Sequence, residues 1–299
     1  MTKANRTSQR HTKPLLAISG QFQNGKSTFL NCLLGGDYAT EGEGTSATTK
    51  HNTRYIYGDF SEIREITPDK SESPRGNAAF FSRGASCRDT ECSTILQISA
   101  YSPMLQTMDI LDSPGFAANA KDDVAADEAL RLTDFVVLVV KKTLDDKSDI
   151  PFLRNITGKG KHFTVIFNCY NSDHPASKKS QKVCSEIFSQ LKNAKLNSNY
   201  IRLAEDFPVY PVNLLWAQCA LGYLPEDEIT GKLEAVKYYL KKEDLTPAVL
   251  LDASNFTPVR SMLQNIVRTF FNFTPVRELD LTRLVADNWT NELKKILEG

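Results

Sequence analysis

Gly20-Gln21-Phe22-Gln23-Asn24-Gly25-Lys26-Ser27 is the segment that best indicates the fold of this chain. It matches G-x-x-x-x-G-K-[ST], a pattern in which glycines let backbone N–H groups point at phosphate oxygens. The apolar run from Leu15 to Ile18 predicts a buried strand before it, and Thr28 to Leu34 predicts a helix after it, ended by two glycines. Strand, glycine-rich loop and helix together predict a phosphate-binding loop (P-loop). We therefore expect the chain to bind a nucleoside triphosphate.

Each part of the P-loop has its own expected role. The Lys26 ammonium would reach the β- and γ-phosphates, and the Ser27 hydroxyl would ligate Mg²⁺. The start of the following helix adds about half a positive charge toward the same anion. The residues expected to contact the nucleotide here are Gly20, Gln21, Phe22, Gln23, Asn24, Gly25, Lys26, Ser27 and Thr28.

The composition is that of an ordinary globular protein with balanced charge. The 299 residues include 36 Lys and Arg and 36 Asp and Glu, so no net field favours nucleic acid or an anionic membrane. The cysteines have no C-x-x-C spacing, which indicates reduced thiols and a cytoplasmic location. The longest strongly apolar run, Phe135 to Val140, is too short to span a bilayer, so any membrane contact would be peripheral.

Apolar strand-like runs alternate with helical patterns over most of the chain. This alternation predicts an α/β fold with a mostly parallel central sheet flanked by helices, the P-loop NTPase fold, with extra C-terminal helices. We expect a flexible basic tail at 1–13, a nucleotide-binding domain at 14–272 and a C-terminal helix at 273–299, the start of a stalk or bundle in one interpretation. Residues 68–93 are polar and rich in Ser, Pro, Gly and Arg, which favours a surface insertion.

A short repeat near the C-terminus predicts two helix starts. The hexapeptide Asn-Phe-Thr-Pro-Val-Arg occurs at 255–260 and again at 272–277. Each copy would place threonine at the N-cap, at Thr257 and Thr274, with proline at the first helical position.

Asp112-Ser113-Pro114-Gly115 is the second motif that carries chemistry. The apolar residues before it predict a strand whose carboxyl end brings Asp112 beside the P-loop, where its carboxylate would hold Mg²⁺ through water. The Gly115 N–H would contact the γ-phosphate and so report its presence. A threonine between the two motifs should close over Mg²⁺. Thr49 is the first choice because it immediately precedes the next strand, and Thr48 is the second.

The loop after the strand Thr164 to Phe167 is expected to recognise the base. Guanine-specific proteins have [NT]-K-x-D there, and this chain has Asn168-Cys169-Tyr170-Asn171. Asn168 fits, but the lysine is replaced by Cys169. The base-reading carboxylate, which accepts from guanine N1–H and the exocyclic amine, is replaced by the Asn171 amide.

Two other positions complete the expected base site. Asp173 would supply the missing carboxylate if the loop has shifted by two residues. Val212 and Asn213 follow the last predicted strand, and Asn213 stands where a small polar residue usually contacts the base.

Together these motifs resemble the GTPase (G) domain of the dynamin superfamily, particularly that of bacterial dynamin-like proteins, over about residues 14–272. The resemblance rests on the P-loop, the threonine loop ending at Thr49 and the segment from Ile95 to Gly115. It implies a Mg²⁺-dependent enzyme that hydrolyses GTP to GDP and phosphate, with Lys26, Gln23 and Thr49 as its catalytic residues.

The resemblance also implies how the reaction is completed. Phe116 follows Gly115 where Ras-type enzymes carry a water-positioning glutamine, and dynamin-like proteins also lack that residue. Such proteins are thought to position water through backbone groups and sometimes a monovalent cation (K⁺ or Na⁺), completed when two G domains meet. Gln23 occupies the P-loop position that would help to hold this cation. The implied partners are GTP or GDP, a second copy of the chain, and a membrane or stalk partner outside it.

Two other functions remain open at this level. A nucleotide-gated interaction module with little hydrolysis would account for the altered base loop. An Era-like GTPase acting on the ribosome or RNA would share the motif order, although the zero net charge disfavours nucleic acid. Only a short tail and one helix flank the expected G domain, so the chain is either a G-domain fragment or a minimal relative without a stalk.

Overall fold

The structure, a computed structural model, describes residues 13–39, 52–58, 62–66, 72–77, 95–113, 127, 130–170, 173–196, 209–222, 236, 238 and 246–271. The strands within these residues are β1 (Leu15–Ser19), β2 (Asn52–Tyr57), β3 (Glu62–Ile66), β4 (Glu72–Asn77), β5 (Ile95–Ala100), β6 (Asp109–Asp112), β7 (Phe135–Val140), β8 (His162–Asn168) and β9 (Tyr210–Val212). They form one sheet in the order β4-β3-β5-β2-β6-β1-β7-β8-β9.

Six helices with assigned bounds accompany the sheet within the described residues. They are α1 (Lys26–Leu34), α2 (Asp149–Gly158), α3 (Lys178–Asn193), α4 (Leu214–Leu221), α5 (Pro247–Ala253) and α6 (Phe256–Phe271), with a 3₁₀ turn at Pro103–Gln106. None of these helices is long and apolar enough to cross a bilayer.

The pairing of the strands confirms the predicted mostly parallel α/β fold. β1 is parallel to both of its neighbours, β6 and β7, and the parallel arrangement continues through β8 to β9. On the other side β2 runs antiparallel to β6, and β5 is parallel to β2. After β1 the chain therefore first forms the strands on the β6 side of β1, and it later forms the strands on the β7 side. Ligands of open α/β sheets bind at such a switch point, beyond the carboxyl ends of the strands.

Helices cover both faces of the sheet because its central strands are apolar on both sides. All six residues of β7 are buried. Val137 and Val139 belong to the core that includes residues of α1, α4, α5 and α6, whereas Val136 and Leu138 belong to the core that includes residues of α2 and α3. Side chains alternate between the faces of a strand, so a continuous apolar run is typical of a strand buried in a parallel sheet.

The sheet extends further than the sequence pattern predicts. β3 and β4 were not predicted, and β4 lies within the stretch 68–93 that is expected to be a surface insertion. Its sequence, Glu-Ser-Pro-Arg-Gly-Asn, shows no apolar alternation. Proline is tolerated there because, among the strands that the structure describes, β4 lies at the edge and pairs only with β3. The rest of this stretch, the tail up to residue 12 and the C-terminal segment 272–299 lie outside the described residues.

Helix α6 begins two residues earlier than the repeat predicts. The helix starts at Phe256, so Thr257 lies inside it and the predicted N-cap at Thr257 is wrong. Asn255 adopts a left-handed conformation (φ 59°), and the Ser254 hydroxyl accepts a hydrogen bond from the Phe256 N–H at 3.2 Å. Phe256 begins the helix because its ring is fully buried and lies edge-on to Phe29 of α1.

Arg260 of α6 is a buried charge, and we expect its replacement by an apolar residue to stabilise the protein. The residue is 2% exposed, and no described atom accepts a hydrogen bond from its Nε or Nη1. Burial lowers the pKa of the guanidinium to about 10, which corresponds to a cost of about 3 kcal/mol for keeping the charge. We expect Arg260→Met to raise the free energy of unfolding by about 2 kcal/mol in urea denaturation.

The pH dependence and a matched variant test this explanation. Because the folded-state pKa lies below that of the unfolded chain, the cost is fully present below pH 10 and declines only above it. The gain from Arg260→Met should therefore be constant from pH 6 to 9. Arg54→Met should instead destabilise the protein, because Arg54 pairs with the nearly buried Asp109 carboxylate at 2.5 Å. Loss of stability in Arg260→Met would contradict the explanation.

Candidate functional site

The P-loop joins the end of β1 to the start of α1, and its backbone requires glycine at two positions. Gly20 has a φ of 146°, and a Cβ atom there would lie 2.4 Å from the Val139 carbonyl oxygen of β7. Gly25 has a φ of 91°, and a Cβ atom there would lie 2.5 Å from the Asn168 side-chain nitrogen. Gln23 is also left-handed, with a φ of 61°. These conformations and close approaches keep the loop tight against the carboxyl ends of β7 and β8.

The start of α1 suits an anion. Its N-cap, Gly25, offers no side chain to accept from the first N–H groups, and the first turn contains no acidic residue. The helix dipole therefore favours an anion at the place where the sequence predicts phosphate.

Lys26 stands at the beginning of α1 and is largely buried. The residue is 8% exposed, and its Nζ donates to the Gln21 carbonyl oxygen at 3.0 Å. The ammonium is therefore folded back over its own loop, where it is hydrogen-bonded to a backbone carbonyl oxygen.

Asp112 lies beside the P-loop, as its motif predicts. The register of β1 and β6 pairs Ile18 with Asp112, which is 2% exposed. Ser113 ties the two strand ends together, because its N–H and hydroxyl both donate to the Ile18 carbonyl oxygen, at 3.4 and 3.2 Å. The carboxylate therefore ends its strand where the P-loop begins.

The carboxylate influences a neighbouring phenol. Burial raises the pKa of Tyr55 well above its ordinary value, and the negative charges of Asp112 and Asp37 add to this effect. Tyr55 remains a neutral hydroxyl, which donates to the Tyr38 carbonyl oxygen at 3.4 Å. Thr48, Thr49, Gly115 and Phe116 lie outside the described residues.

Asn168, at the end of β8, connects the predicted base loop to the P-loop. Its side-chain amide donates to the Asn24 carbonyl oxygen at 3.1 Å. Asn24 in turn donates from its side chain to the Val139 carbonyl oxygen of β7 at 3.0 Å. These two bonds link the carboxyl ends of three adjacent strands at the phosphate loop.

The cysteine that replaces lysine in the base motif faces the core. Cys169 is 2% exposed and packs in the core cluster that includes residues of α2 and α3. Burial raises the pKa of its thiol to about 11. The side chain is therefore an apolar packing group, and it does not provide the aliphatic stem that a lysine would lay along a base.

The other predicted base residues are held in a short turn. Asp173 donates its N–H to the Tyr170 carbonyl oxygen at 2.8 Å, and its carboxylate pairs with Lys179 of α3 at 2.8 Å. The Asn213 amide donates to the carbonyl oxygens of Tyr170 and Asp173, both at 3.2 Å, and its oxygen caps α4. Val212 is buried at the end of β9, and Asn171 lies outside the described residues.

Two features of this region were not predicted from the sequence. Tyr170 is 54% exposed, and the Lys179 ammonium lies 5.3 Å from the centre of its ring. The Gln21 side chain leaves the P-loop and bonds to Ser148 and Asp149 at the start of α2. The Ser-Asp pair is a recognisable helix start, but nothing local indicates that its partner lies in the P-loop.

An α/β sheet that carries such a loop at the carboxyl end of its central strand, with an aspartate ending the adjacent strand, defines a P-loop nucleotide-binding protein. Comparison with known proteins identifies the family within this class. The model of the dynamin family matches residues 16–168, slightly more than half of the chain. The chain therefore belongs to the dynamin family, and this region is a dynamin-superfamily GTPase domain.

Two solved structures show the same fold at low sequence identity. Both are chains of an oligomerised bacterial dynamin pair, described as providing a mechanism for long-range sensing and tethering of membranes. Their TM-scores are 0.52 and 0.51 at 18% and 17% identity, and each alignment covers 87% of this chain. This chain spans about half of their length, 51% and 50%. The alignment with Era from Aquifex aeolicus bound to GDP and AlF4⁻ has a TM-score of 0.35 at 16% identity, and covers 71% of this chain and 57% of Era. No curated protein matches the chain.

Proposed function

We propose that this chain binds GTP and hydrolyses it to GDP and phosphate. The observation that carries the proposal is the P-loop itself: an uncapped helix start, with the Lys26 ammonium held 3.0 Å from the Gln21 carbonyl oxygen, beside the strand end that bears Asp112. Phosphoryl transfer depends mainly on positioning and charge stabilisation, which these groups supply. The ammonium has three N–H donors, so Lys26 would contact the β- and γ-phosphates while it keeps its bond to the Gln21 carbonyl oxygen.

The donor set suits Mg²⁺ as the cofactor. Mg²⁺ prefers oxygen ligands, and the proposed site offers the Ser27 hydroxyl, the Asp112 carboxylate and the Thr49 hydroxyl. Bound there, Mg²⁺ would neutralise charge on the β- and γ-phosphate oxygens. The Gln23 side chain is proposed to help hold a K⁺ or Na⁺ ion.

We further propose that two G domains complete the site by meeting face to face. The motivating observation is Phe116, which stands in place of a water-positioning glutamine. Family membership supports the same arrangement, and an oligomerised pair is described for the bacterial dynamins with this fold. Peripheral contact with a membrane is part of the proposal because those proteins are described as tethering membranes.

The altered base loop favours a second candidate, a nucleotide-gated interaction module with little turnover. Cys169 is buried in the core, and the Asp173 carboxylate is already paired with Lys179. Both facts weaken the contacts by which guanine-specific proteins recognise the base. In this alternative the nucleotide would act as a switch for partner binding.

Phosphate release from GTP, ATP and XTP, measured with Mg²⁺ over a wide range of protein concentration, tests the proposal. We expect turnover of GTP with a specific activity that rises with concentration, because a second copy completes the site. A flat specific activity would contradict the dimerisation, and binding without turnover at any concentration would favour the interaction module.

The same set of nucleotides tests the role of Asp173. If its carboxylate reads guanine through the oxygen not paired with Lys179, Asp173→Ala should weaken GTP binding more than ATP binding. Lys179→Ala, which frees the carboxylate, should leave GTP binding unchanged or stronger. Equal GTP affinity in the wild type and in Asp173→Ala would remove Asp173 from the base site.

A further inference from the structure

The Gln21 side chain makes a connection that the phosphate site does not itself require. Its Nε2 donates to the Ser148 hydroxyl oxygen at 2.8 Å and to Asp149 Oδ1 at 3.1 Å. Ser148 and Asp149 lie 127 and 128 positions further along the chain, at the start of α2. Both amide hydrogens of a P-loop residue are thus used on one distant segment.

The acceptor is an unusually buried carboxylate. Asp149 is 2% exposed, and its other oxygen, Oδ2, accepts from the Asp145 N–H at 2.9 Å. No lysine or arginine of the described chain forms an ion pair with it. Burial accordingly raises the pKa of the carboxyl. Burial removes the hydration of a carboxylate, so this group depends on the few protein donors that reach it, including the Gln21 amide. Hydrogen bonds to a charged acceptor of this kind are strong.

The segment that carries Asp149 is itself rigid. Asp145 Oδ1 accepts from the N–H groups of Lys147 and Ser148 and from the Ser148 hydroxyl, each at 2.9 Å. The Gln190 side chain of α3 pairs with both backbone groups of Leu144, at 2.9 Å each. Asp149 therefore offers Gln21 a fixed point of attachment.

The other end of Gln21 reaches the P-loop lysine. The Gln21 carbonyl oxygen accepts from Lys26 Nζ at 3.0 Å and from the Asn24 N–H at 3.4 Å. Gln21 is thus the one described residue that joins the buried carboxylate to the lysine at the start of α1.

We infer that Asp149 is a positioning residue of the phosphate site. By holding the Gln21 side chain it fixes the Gln21 carbonyl oxygen, and this oxygen keeps the Lys26 ammonium at the place where a phosphate must be bound. The loop is then already ordered before the nucleotide binds, so binding does not incur the entropic cost of ordering it. The inference rests on the proposed nucleotide binding, and it adds a residue that lies outside every sequence motif.

The test compares GTP affinity and thermal stability in Gln21→Met, Asp149→Leu, Asp149→Asn and Gln190→Met. Gln21→Met keeps the chain length and removes the amide, so the Kd for GTP should rise about tenfold, as for the loss of one hydrogen bond to a charged group. Asp149→Leu should have the same effect. Asp149→Asn keeps an oxygen facing Gln21 and should recover most of the affinity, although it loses the charge.

Gln190→Met is the matched control. It frees Leu144, at the far end of the segment, from α3 but leaves the bonds of Asp149 to Asp145 and Gln21 intact, so it should lower the melting temperature without changing the Kd for GTP. Equal losses of affinity in Gln190→Met and Gln21→Met, or unchanged affinity in Gln21→Met and Asp149→Leu, would overturn the inference. In either case the proposed function would stand as long as the wild type binds GTP. A wild type without nucleotide binding would overturn both.

Discussion

Lys26→Ala should reduce phosphate release from GTP by about two to three orders of magnitude, the effect typical of removing one charged group that stabilises a transition state. The Lys26 side chain carries the positive charge of the P-loop, and it is held in a largely buried position beside the loop carbonyls. Without it, the charge that develops on the transferred phosphoryl group would lose its nearest cation. Phosphate release at saturating GTP measures this effect.

The control for this substitution is Lys147→Ala. Lys147 is exposed in the turn before α2, and the contact that it makes there is through its backbone N–H, so its side chain should be dispensable. Turnover that is robust in the wild type and in Lys147→Ala but lost in Lys26→Ala would eliminate the interaction module without hydrolysis. Turnover unchanged in Lys26→Ala would contradict the proposed site.

Gly20→Ala should destabilise the protein by about 3 kcal/mol or more and abolish nucleotide binding. The added methyl group would lie 2.4 Å from the Val139 carbonyl oxygen, well inside van der Waals contact, and the φ of 146° is unfavourable for alanine. Val139 cannot move away easily, because it lies in the central strand β7 and its carbonyl oxygen also accepts from the Asn24 side chain. Urea denaturation and GTP binding measure the two effects.

Gly158→Ala provides the comparison for a glycine that is not required. Gly158 is the last residue of α2, and a Cβ atom there would meet nothing within 4 Å. Alanine is favoured over glycine in a helix by about 1 kcal/mol, so this variant should be as stable as the wild type or slightly more so. If Gly20→Ala unfolds at the same urea concentration as Gly158→Ala, the close approach of the P-loop to β7 is not as the structure describes it.

The parts of the fold predicted from sequence are those with a strong local signal. β1, the P-loop and α1 follow from an apolar run, two glycines and a helix pattern that ends in Gly35. β7 was predicted because it is apolar throughout. β4 could not be predicted, because an edge strand needs neither apolar alternation nor freedom from proline.

The residues of the candidate site fall into the same two groups, those with a local sequence signal and those that depend on tertiary packing. Lys26, Ser27 and Asp112 could be proposed from their motifs, since a short motif specifies a local backbone conformation together with its side-chain chemistry. The burial of Cys169 and the pairing of Asp173 with Lys179 depend on how α3 packs on this face of the sheet, which one loop sequence does not contain. The attachment of Gln21 to Asp149 joins positions 128 apart.

The sequence alone therefore established the P-loop and the mostly parallel sheet of this protein, and it indicated a set of candidate phosphate-binding residues in motif order. These features follow from backbone conformation and side-chain periodicity, which act over a few residues. Only the tertiary structure decided which distant groups hold that loop in place: Asn168 on the Asn24 carbonyl oxygen, the Asn24 side chain on β7, and Asp149 on Gln21. Such bonds form where packed strands and helices bring their ends together, and the geometry of that packing is a property of the whole chain.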